Sequence, residues 1–71
     1  MTTDQTDAFA DDFSSLDMQI RCVRREIGMR ESVYPQWVRN GRMTQNQAAA
    51  EIQMMNAVLE TLTRLKESEN G

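Results

Sequence analysis

Seventy-one residues carrying a net charge of −3, one cysteine and no histidine set narrow limits. A chain this short holds one domain and is marginal at burying enough surface to be stable alone. The lone Cys22 excludes a disulfide framework, and the lack of histidine removes the commonest metal ligand and general base. No apolar run approaches the roughly 20 residues of a membrane span, and the N-terminus lacks the basic-then-apolar pattern of a signal peptide. The expectation is a cytoplasmic, mostly helical protein.

Charge is distributed unevenly along the chain. Residues 1–17 carry five acids and no base, residues 18–42 carry six arginines against Glu26 and Glu31, and residues 43–71 are again acidic. Residues 1–13 read as an acidic, flexible N-terminal arm. Phe9 and Phe13 stand four apart in it, so a short helical turn would present both rings on one side. Such a segment either solubilises the chain or docks on a basic surface, and its composition favours the first role.

A first helix is predicted over about residues 15–40, capped by Ser14 or Ser15, with Asp17 well placed in its first turn. Its apolar stripe is Leu16, Ile20, Val23, Ile27, Tyr34 and Val38, broken at Arg30. Arg21, Arg24 and Arg25 lie off that stripe, and Glu26 with Arg30 forms an i,i+4 pair. Gly28 is costly in a helix interior and reads as a marker of close helix crossing. Pro35 cannot donate to the carbonyl of Glu31, so the helix must kink or restart there. A kink is favoured, because Val38 continues the stripe.

The chain turns at Asn40-Gly41, where glycine can take the left-handed position that ends a helix. Thr44-Gln45-Asn46-Gln47 follows as a capping box that starts the next helix. A stop and a start so close together predict a tight turn over residues 41–44. The second helix is predicted over about residues 45–66, with a frayed tail at 68–71. Ala48, Ile52, Met55, Leu59 and Leu62 make a heptad-like seam, and Met54, Val58, Thr61 and Leu65 make a second row beside it. One partner helix cannot cover both rows. The expected fold is therefore all-α: an antiparallel two-helix hairpin, with the first helix kinked at Pro35. Two copies would pack as a dimeric four-helix bundle around Ile20, Val23, Ile27, Ile52, Met55, Leu59 and Leu62.

No catalytic or metal-binding constellation emerges, and no cofactor is expected. Ser14 and Ser15 lack an activating base. Cys22 has Arg21 and Arg25 beside it but no general base or resolving cysteine, so it reads as a semi-buried core thiol. Thr44-Gln45 resembles the start of a repressor-type recognition helix, yet the sequence from Ala48 to Leu65 has no glycine, proline or turn cluster to form the rest of that motif. Overall acidity also disfavours nucleic acid. The remaining signal is Arg21, Arg24, Arg25, Arg39 and Arg42, with Tyr34 and Trp37. Arginines bind phosphates or carboxylates in bidentate fashion, and aromatic rings stack. Spread over more than about 20 Å of helix, these groups converge only between copies in an oligomer. Otherwise they form a solvated face paired to acids. Tyr34 and Trp37 either plug the turn end of the core or stack beside Arg39 and Arg42, and ordinary packing favours the plug.

Cys22-Val23-Arg24-Arg25-Glu26-Ile27, Arg30, Val33-Tyr34-Pro35, Trp37-Val38, Gly41-Arg42-Met43-Thr44, Glu51-Ile52 and Met55 together resemble a group of short phage and prophage helical-hairpin proteins. Their shared core is R-E-x-x-x-R-x-x-V-Y-P-x-W-V-x-x-G-R-M-T, and the likeness covers about residues 20–65. The resemblance implies a phage-type setting inside a bacterial host. Small phage proteins of this size often act in host takeover or counter-defence, by binding host machinery or capturing signal molecules. Two functions are therefore expected. The first is non-catalytic binding of a host protein by the arginine face together with the Tyr34/Trp37 end of the hairpin. The second is sequestration of an anionic, nucleotide-like molecule between subunits.

Overall fold

A computed structural model of the chain describes residues 15–70 and contains two helices, α1 (Leu16–Arg39) and α2 (Gln45–Asn70). Asp17 pairs with Lys66 at one end, while Tyr34 and Ala48 line a common cleft near the turn. The helices therefore run antiparallel as a hairpin. The acidic arm, with Phe9 and Phe13, lies outside the described residues.

Local chemistry sets both ends of the turn. Ser15 caps α1, its hydroxyl accepting from the Met18 N–H at 3.1 Å. At the other end Gly41 has φ +79°, the left-handed conformation that favours glycine. The Arg42 N–H donates to the Trp37 carbonyl at 2.8 Å, and the Gly41 N–H to Val38 at 3.1 Å. These two bonds form a Schellman motif, and they satisfy carbonyls that the helix end would leave open. The capping box is complete: Gln47 N–H donates to Thr44 Oγ1 at 3.0 Å, and Thr44 N–H to Gln47 Oε1 at 2.9 Å.

α1 runs through Pro35 as one helix. The proline sits one turn from the helix end with its ring exposed, so the lost bond to Glu31 weakens little beyond the last turn. α2 continues to Asn70, four residues past the expected end at Lys66. Residues 45–70 contain no glycine or proline to stop the helix, and Lys66 is anchored across to Asp17.

The hairpin seam is thin. Ile20, Ile27, Tyr34 and Ala48 are each 8% exposed, and no described side chain is fully enclosed. Leu16, Val23, Val38, Ile52, Met55, Leu59 and Leu62 complete the seam half-buried. Arg30 breaks the stripe as expected and is also half-buried. Its Nη1 donates to Glu26 Oε1 at 2.6 Å and to the Glu26 carbonyl at 3.1 Å.

Two expectations need correction. Gly28 marks no close crossing: it is exposed, and a Cβ built on it meets nothing within 4 Å. It stands about one residue's rotation, roughly 100°, from Ile27 on the seam, and so points away from α2. Cys22 is not a core thiol. It is exposed, with the Arg25 guanidinium donating weakly to its sulfur at 3.9 Å.

Candidate functional site

Helical spacing divides the hairpin into two unlike faces. On α1 the positions 17, 21, 24, 28, 31, 35 and 39 follow one another by threes and fours, as do 45, 49, 52, 56, 60, 63 and 67 on α2. Two clefts tie these rows to a single face. The one at the open end, about 430 Å³, is lined by Asp17, Ile20, Arg21, Arg24, Thr63, Lys66 and Glu67. The other, also about 430 Å³, lies near the turn between Glu31, Pro35 and Arg39 of α1 and Gln45, Ala49 and Ile52 of α2.

This face is polar and rich in arginine. Among the described residues, salt bridges engage Arg30, Arg64 and Lys66, while Arg21, Arg24, Arg25, Arg39 and Arg42 are within ion-pair distance of no described carboxylate. At the open end the Lys66 ammonium, through a hydrogen bond and its charge, holds the Asp17 carboxyl below its ordinary pKa of 3.8. Arg21 adds a smaller effect in the same direction. The hydrogen bond to Glu26 likewise pushes the Arg30 guanidinium upward.

The expected site residues do not meet at one point. Arg21 and Arg24 share the open-end cleft, while Arg39 lines the cleft by the turn, some 15–18 residues or about 25 Å along the helix. Arg25 and Arg42 are exposed and line neither cleft. Tyr34 is buried in the seam and plugs the turn end of the core. Trp37 does not plug it, being 37% exposed with its ring centroid 5.6 Å from that of Tyr34. Nor does Trp37 stack beside Arg39: two residues apart on a helix, the two side chains diverge by roughly 160°. Among the expected oligomer-core positions, Ile20 and Ile27 are buried within the single hairpin, and Val23, Ile52, Met55, Leu59 and Leu62 are half-buried.

The opposite face is apolar. It follows 22, 26, 29, 30, 33 and 37 on α1 and 47, 51, 54, 58, 61 and 65 on α2. A cleft of about 350 Å³ there is lined by Glu26, Met29, Arg30, Val33, Tyr34 and Trp37. The exposed large apolar side chains of the described residues are Met29, Trp37, Met54, Val58 and Leu65, and all of them belong to this face. The row on α2 was expected; its counterpart on α1 was not. Met29, Val33 and Trp37 stand four apart, which is the signal, but Glu26 and Arg30 interrupt the row and obscure it.

Sequence reasoning also missed Thr63, Lys66 and Glu67 as neighbours of Arg21 and Arg24. Asp17 and Lys66 lie almost equally far from the Gly41-Arg42 turn, and an antiparallel hairpin must bring such positions together. Among the described residues, no group of three or more His, Cys, Asp or Glu side chains could hold a metal ion, and no helix is long and apolar enough to cross a membrane. The helix-turn-helix alternative needs a break in the second helix, and α2 is continuous from Gln45 to Asn70. Comparison with known proteins gave no match to any family model, curated protein or solved structure.

Proposed function

We propose that this chain is a homo-oligomeric helical-hairpin protein that acts without catalysis, binding an acidic surface of a host protein in a phage-type setting. The observation that carries this reading is the arginine face. Arg21, Arg24 and Arg39 line it, Arg25 and Arg42 are exposed, and among the described residues none of the five pairs with a carboxylate, which supports a role in meeting an acidic partner. Arginine's planar fork suits carboxylates presented by such a surface. Reversing Arg24 or Arg25 to glutamate is expected to abolish partner capture from host lysate while leaving helical circular dichroism unchanged. Capture that survives both reversals would refute this assignment of the contact face.

A second reading, capture of an anionic nucleotide-like molecule, draws on the open-end cleft, where Arg21, Arg24, Lys66 and Thr63 are grouped. Two observations weigh against it. Asp17 and Glu67 share that cleft and Asp17 already engages Lys66, while Tyr34 is buried and Trp37 lies on the other face. Titration with cyclic and linear nucleotides, followed by binding calorimetry, separates the two readings. Saturable binding lost in Arg24→Ala would favour the ligand.

A further inference from the structure

We infer that the apolar face formed by Met29, Val33 and Trp37 of α1 with Met54, Val58 and Leu65 of α2 is the seat of a second copy of this chain. The two hairpins are packed face to face about a two-fold axis, and the arginine faces point outward. The inference rests on the oligomeric part of the proposed function and gives it a surface.

Four observations lead to a second copy rather than to a different partner. The first is segregation. Met29 is 52% exposed, Met54 66%, Leu65 50%, Val58 41% and Trp37 37%, yet all five share one face while Arg21, Arg24 and Arg39 with Asp17, Glu31 and Glu67 take the other. Charge is the second. On the apolar face Glu26 and Arg30 neutralise each other at 2.6 Å, and the other formal charges along its rows are Glu51 and, one turn beyond Leu65, Glu69. A charged partner finds little to recognise there, whereas a two-fold mate meets a nearly neutral copy of the same surface.

Area is the third. The exposed parts of those five side chains amount to on the order of 500 Å² per chain, and half-buried Val33, Met55 and Leu62 extend the patch toward the roughly 800 Å² per partner of a stable interface. The last is need. Among the described residues there is neither disulfide nor metal cluster and no side chain is fully enclosed, so the core of the described hairpin is unfinished. Spacing fits as well: Met54, Val58, Thr61 and Leu65 step by four, three and four, the pattern by which helices in bundles interdigitate.

The arrangement assigns Trp37 to the interface, away from any arginine-bound ligand. It also makes the assembly bivalent. Each dimer presents two arginine faces on opposite sides, so no anion can be shared between subunits across this interface.

The test is sedimentation equilibrium of the full chain, alongside Met54→Glu, Leu65→Glu and, as a control, Arg24→Glu. The wild type and Arg24→Glu are expected at the mass of two chains, and the apolar-face variants at the mass of one. A wild-type mass other than two chains, or folded Met54→Glu and Leu65→Glu that keep the wild-type mass, would overturn the inference. Should those variants fail to fold, peroxide footprinting of the wild type decides. Met54 in concentrated protein is expected to oxidise several-fold more slowly than in a free peptide of the same sequence. Oxidation at the peptide rate would overturn the inference equally. Partner capture reads out separately, so failure of the apolar face leaves the arginine-face assignment to stand or fall on its own variants.

Discussion

Replacing Gly28 by alanine tests whether the face on which it lies is free. The residue occupies the interior of a 24-residue helix, where glycine costs about 1 kcal/mol relative to alanine. An added Cβ meets nothing within 4 Å, so no steric term opposes the gain. Gly28→Ala should therefore stabilise the protein by about 1 kcal/mol, a rise of roughly 4–8 °C in melting temperature for a domain of this size. Thermal melts by circular dichroism at matched protein concentration measure it, because an associating protein has a concentration-dependent midpoint. A fall in stability would refute the reasoning. It would mean that a backbone or side chain from another copy closes on Gly28, and therefore that copies meet through the polar face.

Further outcomes follow from the same geometry. Asp17 is held below its ordinary pKa by Lys66, so its contribution to stability is complete above the unfolded carboxylate pKa near 3.8 and is lost as pH falls through the lower folded value. Asp17→Asn should remove that part of the acid sensitivity, seen as a smaller difference between melts taken above and below this range. Gly41→Ala forces a Cβ into φ +79° and should destabilise by about 1 kcal/mol or more, and Thr44→Ala, which removes half the capping box, by about 1 kcal/mol, both read by urea denaturation. Ile27→Ala, at an 8% exposed seam position, should cost about 2–4 kcal/mol. Gln53→Ala, at an exposed position on α2 off the seam, should lie within about 0.5 kcal/mol of wild type.

What was legible in the sequence was local. Ser15, Gly41, Thr44 and Gln47 act within one helical turn of themselves, so their residue types fix the start, stop and restart without reference to the rest of the chain. The seam from Leu16 to Val38 was legible too, because burial on one side imposes a period that survives the insertion of Arg30. Less could be read where a residue's meaning depends on rotation about the helix. Gly28 and Cys22 look like interior residues by type, yet their angular positions carry them off the seam. Trp37 looks like a neighbour of Arg39 by number and lies nearly opposite it in space. The apolar row of Met29, Val33 and Trp37 was hidden because Glu26 and Arg30 lie beside it and make the flank read as polar, although their i,i+4 pairing was itself legible. Lys66 and Thr63 joined Arg21 and Arg24 only through the return of the chain, which no single helix reveals.

The closed turn also governs how the hairpin comes together. With Gly41 and Arg42 bonded back to Val38 and Trp37, and Thr44 and Gln47 bonded to each other, this segment can organise itself before the helices touch. Contacts between α1 and α2 then grow in sequence separation from the Tyr34–Ala48 neighbourhood to the Asp17–Lys66 pair. Each new contact closes a loop only slightly longer than the last, at little extra entropy. Such a molecule zips from its bend, and its folding rate belongs with the fast, low-contact-order helical proteins. The Asp17–Lys66 pair, farthest from the bend along both helices, is the last contact that this zipping reaches.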